Sequence, residues 1–362
     1  MFDCQKGQTN DFALSLRADT DEAVAVALHL GLGTRRLSGS RLTTDLRLGT
    51  NPALTVDWAV KSKIGLPTFG IAARARVMNT NSGWGSATYD KLFSTAVDAY
   101  LEDSRMRLGS MRIGFTAEMD PYEHYLTRDE EWEGWDWKSY WLSAFATFRI
   151  DTFNDGYFPT RGFRLSLDGR YVFKGYTIDL DDRIYHASES YTTKDGVVPT
   201  YLVALASFET AIPLGNHFAI LPKLHFGMDW AAALRDKSLS DTSYEDLFNP
   251  KHLVTLGGFM PNRYTERQIP FFGFPTGYRN CLPVVAVGQI DLRYCFLNKN
   301  YITARAGIYK DAYSFQLWPE MGSVRAYGAE YARQSMVGPL RIALQWTTYV
   351  GFSGYASIGF EF

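Results

Sequence analysis

The chain has 362 residues, a formal net charge of −2, 15% aromatic residues and 31 glycines. The near-neutral balance excludes the large basic field that nucleic-acid binding needs, so no nucleic-acid partner is predicted. No stretch of about 18 apolar residues occurs, which excludes a transmembrane helix. Abundant aromatic residues and glycines favour a β-rich chain, either a soluble sheet protein or a transmembrane barrel with a polar lumen.

Alternation of apolar and polar residues predicts about sixteen strands along the chain. An even number of strands is typical of single-chain bacterial barrels. The predicted strands, in chain order, are 11–18, 22–31, 40–49, 53–62, 68–78, 90–101, 104–117, 138–150, 161–174, 199–211, 216–229, 283–297, 300–309, 323–335, 338–348 and 353–362.

The clearest of these strands follows a turn at Asn154–Thr160. One face of the strand carries Phe163, Leu165, Leu167, Gly169, Tyr171 and Phe173, and the other carries Arg164, Ser166, Asp168, Arg170 and Lys174, with Val172 as the exception. A strand with two such different faces suits the boundary between lipid and water. We therefore predict that the first face meets lipid and that the second faces the lumen.

The predicted connections differ in length at the two ends of the sheet. The connections that follow even-numbered strands are short: 32–39, 63–67, 102–103, 151–160, 212–215, 298–299 and 336–337. Several connections at the opposite end are long: 79–89, 118–137, 175–198, 230–282 and 310–322. This asymmetry indicates an outer-membrane barrel with short periplasmic turns and long extracellular loops. The acidic, Trp-rich segment 129–137 is interpreted as an interfacial rim, with surface ligand binding as the alternative.

Two motifs resemble a known superfamily of barrels. The segment Phe158, Pro159, Thr160, Arg161 and Gly162 is similar to the turn–strand motif of the superfamily that includes the BamA and TamA assembly factors, bacterial surface antigens and two-partner secretion transporters. In that superfamily, a long loop folds into the lumen and carries an Arg-Gly-aromatic tip. The resemblance implies that 230–282 is this loop.

The tip of that loop corresponds to Arg263, which is followed directly by an aromatic residue without the glycine. An arginine folded into the lumen needs a partner because an unpaired buried charge is costly. We predict that Arg263 forms an ion pair with Asp291, on the polar face of the twelfth strand. The alternative is that Arg263 is solvated in an extracellular loop.

Further segments are similar to the barrel of Bacteroidetes-type patatin-like phospholipases: 39–42, 48–52, 269–274, 288–294, 299–302 and 335–340. In that family a periplasmic hydrolase domain and a small linking domain precede a sixteen-stranded barrel. The resemblance implies that residues 1–362 are the barrel domain, with 1–10 as the remnant of a linker. The start of the chain has no signal-peptide pattern, so we expect it to be the C-terminal part of a longer protein.

No catalytic residue is predicted in this chain. The nucleophile elbow Gly-x-Ser-x-Gly of patatin hydrolases does not occur in the sequence. The six histidines have no closely spaced partners, and Cys4, Cys281 and Cys295 have no CxxC spacing. Neither a metal site, nor a cofactor, nor a disulfide framework is predicted.

The first and last strands must pair to close the barrel, which places the seam at Gly354, Gly359 and Phe362.

The sequence supports three hypotheses about function. The main hypothesis is a barrel in the bacterial outer membrane that anchors an upstream phospholipase domain and gives lipid or product a path. The alternative is an assembly or translocation barrel of the BamA/TamA kind, and the third is a soluble β-sandwich binding module. The expected partners are outer-membrane lipids, the upstream periplasmic domain and the barrel assembly machinery, and a homodimer is left open.

Overall fold

The computed structural model describes residues 10–19, 24–34, 39–61, 66–80, 88–103, 108–128, 131–181, 196–198, 201–230, 254–258, 267–274, 279–280, 283–297, 299–312 and 314–359. Sixteen strands form its wall: β1 (Asn10–Asp19), β2 (Ala25–Thr34), β3 (Ser40–Leu48), β4 (Ala53–Val60), β5 (Thr68–Thr80), β6 (Thr88–Asp103), β7 (Gly109–Arg128), β8 (Glu131–Asp151), β9 (Gly162–Asp181), β11 (Tyr201–Leu214), β12 (Phe218–Asp229), β16 (Val284–Phe296), β17 (Asn300–Ala312), β18 (Val324–Ser335), β19 (Gly338–Thr347) and β20 (Gly351–Gly359). The short β10 (Gly196–Val198) extends the ladder on β9, and β13 (Thr255–Leu256), β14 (Gln268–Ile269) and β15 (Arg279–Asn280) form a separate small sheet.

The wall is a closed antiparallel barrel. Each wall strand pairs with its neighbours in the chain, and β1 pairs with β20 to close the ring. Among the described residues, closure gives every wall strand a neighbouring strand on both sides, which removes the free edges of an open sheet. The predicted all-β class and the sixteen-stranded barrel are confirmed. No helix in the described part of the chain is long and apolar enough to cross a membrane.

The two faces of the wall have opposite character. On β9, the four outward aromatic and aliphatic side chains Phe163, Leu167, Tyr171 and Phe173 are 37 to 47% exposed. On β16, Ile290 and Leu292 point outward, whereas Asp291 between them is fully buried in the lumen. This inverted arrangement, apolar outside and polar inside, is that of a transmembrane barrel. The predicted lipid-facing and lumen-facing rows of β9 agree with it as far as Tyr171. Lys174, predicted to face the lumen, is instead exposed and pairs with the outward Leu142, because the β8–β9 register shifts between Leu142 and Ser143.

One predicted connection is wrong, and a second was predicted to begin too early. Residues 118–137 do not form a long loop, because β7 and β8 pair along their whole length up to Arg128 and Glu131. Most of the Trp-rich segment, 131–137, therefore lies in β8. In the same way, β9 runs to Asp181, well into the predicted connection 175–198. The sequence pattern fades here because a strand that extends beyond an apolar belt no longer needs one apolar face.

The longest intervals between barrel strands still lie at one end. They follow β9, β12 and β17, which all run in the same direction as β1. The connections at the other end are short, apart from the ten-residue turn 152–161 between β8 and β9. The two ends therefore differ, as the sequence predicted, although the difference rests on fewer loops.

Candidate functional site

The lumen wall carries many charged residues. A cavity of about 670 Å³ beside β9 is lined by seven arginines: Arg74, Arg76, Arg112, Arg149, Arg164, Arg170 and Arg267. Several of them form ion pairs with acids on neighbouring strands, among them Arg74 with Asp98 and Arg112 with Glu102, each at 2.7 Å. Pairing across strands allows these charges to lie inside the barrel, since each carboxylate offsets part of the cost of burial.

Part of the 230–282 segment packs inside the barrel. Its described apolar residues are buried to 3% exposure or less: Val254, Leu256, Ile269, Phe271, Phe272 and Phe274. They form one cluster with inward side chains of the wall, which include Val203, Leu205, Val285, Val287 and Tyr309. We call residues 254–258 and 267–274 the lumen segment. That the whole of 230–282 folds into the lumen stays a prediction, because the rest of this range lies outside the described residues.

Glycines in the wall make room for the lumen segment. A Cβ atom added at Gly307 would lie 2.9 Å from the ring of Phe272, and one at Gly328 would lie 3.3 Å from the same ring. Phe272 therefore lies directly against the backbone of β17 and β18. Small residues at both positions are required for this close approach.

An ion pair joins the lumen segment to the far wall. A guanidinium nitrogen of Arg267 lies 2.6 Å from Oε1 of Glu118 on β7, and Arg170 approaches the same carboxylate at 3.8 Å. The predicted pair was different. Arg263 lies outside the described residues, and the buried Asp291 contacts Lys223 at 2.9 Å and Arg305 at 4.0 Å. The Arg263–Asp291 pair therefore stays a prediction, and the loop-to-wall pair among the described residues is Arg267–Glu118.

Replacing Arg267 with alanine is expected to loosen the lumen segment. Glu118, whose side chain is 5% exposed, would lose its guanidinium contact at 2.6 Å, at a cost of about 2 kcal/mol. Hydrogen exchange measured by mass spectrometry should rise in 267–274 and stay unchanged in β17. The exchanged pair R267E/E118R should restore protection in part. Equal protection in R267A and the wild type would contradict a locking role.

The turn between β8 and β9 contains the predicted motif Phe158–Gly162. Side-chain oxygens build its shape: Asp155 accepts hydrogen bonds from the backbone of Tyr157 and Phe158, each at 2.8 Å. Asn154 accepts from the backbone of Thr160 and Arg161, each at 3.0 Å. Gly162 has a φ of +105°, a conformation that favours glycine. The turn is thus a defined structure held by its own Asx contacts.

This turn folds across the mouth of the barrel. The Phe158 ring is 2% exposed and stacks on Tyr301 of β17, with 4.2 Å between ring centroids. The guanidinium groups of Arg341 and Arg293 lie 4.9 and 5.7 Å from the centre of the Phe158 ring. Arg293 donates to the carbonyl of Pro159 and Arg341 to that of Tyr157, each at 3.1 Å. The turn is therefore attached to the opposite wall.

Sequence reasoning missed Arg293 and Arg341. The alternation of side chains predicts that both residues face the lumen. It does not predict their contact with the turn, because the turn is more than 130 residues away in the sequence. Their position on the polar face of two C-terminal strands was the available signal.

Beside the turn, Glu330 on β18 is the centre of a buried network. Its carboxylate pairs with Arg305 at 2.6 Å and with Arg341 at 3.1 Å, and the hydroxyl of Tyr355 donates to it. The side chains of Glu330, Arg305 and Arg341 are 0, 7 and 3% exposed. The network joins four adjacent strands, β17 to β20, next to the seam. Because each charge has a partner, it stiffens this part of the wall.

Among the described residues, the seam has fewer residue pairs than the neighbouring ladders. β1 and β20 share five residue pairs, from Ser15–Gly359 to Asp19–Tyr355, whereas β1–β2 and β19–β20 share eight each. Gly359 has a φ of +113°, and an added Cβ would lie 2.5 Å from the carbonyl oxygen of Leu14. Gly354 pairs with Leu344 of β19 and lies just beyond the seam pairs. The predicted seam residue Phe362 lies outside the described residues.

Within the described residues, no group of three or more histidine, cysteine or acidic side chains is arranged to hold a metal ion. His29, on the lumen side of β2, lies between Asp11 and Asp45, at 3.2 and 2.5 Å. Asp11 also pairs with Arg41 at 2.8 Å. This cluster links β1 to β2 and β3. These strands lie on the opposite side of the seam from the Glu330 network.

An apolar outer belt, a charged lumen that holds a folded segment, and one short closing ladder together define a transmembrane β-barrel with an internally occupied pore. The family model described as the OMP85 superfamily matches residues 122–362. The chain therefore belongs to the OMP85 superfamily.

Solved structures of similar fold include BamA from Haemophilus ducreyi lacking POTRA domains 1–3, with 12% identity and a TM-score of 0.63 over 97% of this chain and 70% of that chain. CdiB from Acinetobacter baumannii has 11% identity and a TM-score of 0.57, and the match covers 97% of this chain and 60% of the CdiB chain. CdiB from Escherichia coli has 10% identity and a TM-score of 0.51, and the match covers 96% of this chain and 63% of the CdiB chain. The chain thus spans less than two thirds of either CdiB. A search of the curated proteins finds no match.

Proposed function

We propose that this chain is the barrel of an outer-membrane protein that assembles or translocates other polypeptides, and that its β1–β20 seam opens toward a client strand. The observation that carries the proposal is the seam, with five residue pairs among the described residues, beside a lumen partly occupied by the lumen segment and the turn. With its pore partly occupied, the barrel offers a client strand a simpler route through the wall ladder that has the fewest residue pairs among the described residues. A strand added there would gain backbone hydrogen bonds from an exposed edge.

The outer-membrane location is part of the proposal. It is supported by the apolar belt and the polar lumen, which together need lipid outside and water inside. Membership of the OMP85 superfamily and the fold shared with BamA support the assembly or translocation role. We propose membrane lipids and client polypeptides as the partners.

The phospholipase-anchor hypothesis is not favoured by any feature of the described structure. The family match identifies the OMP85 superfamily and not the patatin-like branch. Whether a hydrolase domain precedes the barrel therefore stays a prediction. An upstream Gly-x-Ser-x-Gly elbow in the full-length gene product would support the anchor, and repeated small domains would support assembly.

A disulfide across the seam is expected to abolish function. Ala18 and Ala356 are directly paired and both point outward, so A18C/A356C, made without the three native cysteines, should form the crosslink. Cells whose only copy of the protein is this variant should lose folded, heat-modifiable barrel proteins from their outer membranes under oxidising conditions. A reductant should restore them, because only opening has been blocked.

The matched control is A304C/A329C, an outward-facing alanine pair in the β17–β18 ladder. Its crosslink ties two strands that have no need to separate, so client levels should stay normal. If client levels also stay normal when the seam is fully crosslinked, the seam-opening proposal is wrong.

A further inference from the structure

The outer face of the barrel contains a groove. Its volume is about 480 Å³, and it runs over β11, β12, β16 and β17 with an almost entirely apolar lining. Three small residues lower the surface here: Ala206, Ala286 and Gly288. Larger side chains stand around them: Leu165, Phe208, Leu224, Phe226 and Ile308.

The connection after β17 folds over one end of the groove. Phe315 stacks on Phe226 of β12, with 6.4 Å between ring centroids and an interplanar angle of 15°. Trp318 packs on Met228 and Val284, whose outward positions would otherwise meet lipid. Met228 and Val284 are both buried, with 7 and 0% of their surface exposed. The groove therefore has an aromatic roof at the end where β17 finishes.

A cation lies under this roof. The ammonium group of Lys310 is 5.5 Å from the centre of the Trp318 ring, and Lys310 lines the groove. Among the described residues, no carboxylate lies within ion-pair distance of Lys310. A second cation, Arg325, is exposed and is paired with Ile308 across the β17–β18 ladder. Glu320 in the same connection is exposed and does not line the groove.

We propose that this groove is a binding site for one lipid with a phosphate-bearing headgroup of net negative charge. The acyl chain would occupy the apolar groove, since an unfilled recess in the belt would lose packing contacts that lipid can supply. The phosphate would lie at Lys310, where a cation without a carboxylate partner sits at the end of the apolar surface. The aromatic roof places Trp318 where membrane proteins use tryptophan to meet headgroups. The site rests on the membrane placement proposed above and does not depend on opening of the seam.

The test is competition between two lipids for the intact barrel in mild detergent. The protein is mixed with equal amounts of phosphatidylglycerol and phosphatidylcholine, and bound lipid is counted by native mass spectrometry. The wild type should retain phosphatidylglycerol preferentially, with one molecule bound per barrel. K310Q should lower this preference about fivefold, which corresponds to the contribution of one lysine near an anionic surface. K310R should keep the preference because the charge remains.

A second variant tests the groove itself. A Cβ atom at Gly288 would make ordinary contacts, 3.6 Å from Ile308 and 3.8 Å from Leu224, so the rest of a leucine side chain would fill the groove. G288L should reduce binding of both lipids, whereas A329L, on the outward face of β18 away from the groove, should not. Heat-modifiable mobility on gels checks that each variant is folded.

Equal retention of the two lipids by the wild type, or unchanged retention in K310Q and G288L, would overturn the lipid site. Neither result would affect the seam crosslink experiment, so the proposed function would stand. A barrel that fails to insert into phospholipid vesicles would instead overturn the membrane placement, and the lipid site with it.

Discussion

Replacing Glu330 with alanine should strongly destabilise the barrel beside its seam. The carboxylate is fully buried and pairs with Arg305 and Arg341, and Tyr355 donates a hydrogen bond to it. Its removal would leave two buried guanidinium groups without their common acid. Breaking a buried ion pair from one side costs about 3 to 5 kcal/mol, because the remaining charge has lost both its water and its partner.

The measurement is the free energy of unfolding in urea, with the barrel refolded into lipid vesicles. E330Q keeps an acceptor for Tyr355 and should lose less stability than E330A. The control is E320A, at an exposed acid in the connection after β17, which should change stability by less than about 0.5 kcal/mol. If E330A is as stable as E320A, the network does not support this wall.

Replacing Phe158 with alanine should detach the turn from the opposite wall. The ring stacks on Tyr301 and lies beside two guanidinium groups. Loss of a buried phenylalanine costs about 3 kcal/mol or more, and loss of cation–π contacts adds to this cost. The hydrogen bonds from Arg293 and Arg341 to the turn carbonyls would weaken, because the ring that holds the turn in place is gone.

Two measurements separate packing from closure of the pore. F158L keeps apolar volume without the ring, so its urea unfolding energy should fall between those of the wild type and F158A. Single-channel conductance in planar bilayers should increase in F158A, because the turn no longer crosses the mouth of the barrel. A variant with wild-type conductance and stability would show that the turn does not close the pore.

The alternation of side chains along β9 was readable from the sequence because it is local. Phe163, Leu167 and Tyr171 are spaced by four residues each, and any strand places residues an even number apart on one face. The same argument gave the number of wall strands. It was wrong at 118–137, where β7 and β8 continue as a long hairpin. Local hydrophobicity could not show this, because the pairing there is carried by the backbone.

The sequence predicted the contacts of the candidate site less completely than it predicted the strands of the wall. The turn Phe158–Gly162 was identified, but its attachment to Arg341 was not, since the two are 184 residues apart. The loop arginine was sought at Arg263, whereas the described pair is Arg267 with Glu118, 149 residues away. Choosing between two nearby arginines requires the path of the loop through the lumen, which no spacing in the sequence specifies.

By itself, the sequence determined which face of each clear strand meets lipid, because period-two alternation depends only on neighbouring residues. It also determined that the chain forms an even-stranded barrel with unequal ends. The tertiary structure alone decided which charges meet across the lumen, how the turn crosses the mouth, and that the described part of the closing ladder has five residue pairs. These features depend on the curvature and register of the closed ring, which arise only when all sixteen strands have paired.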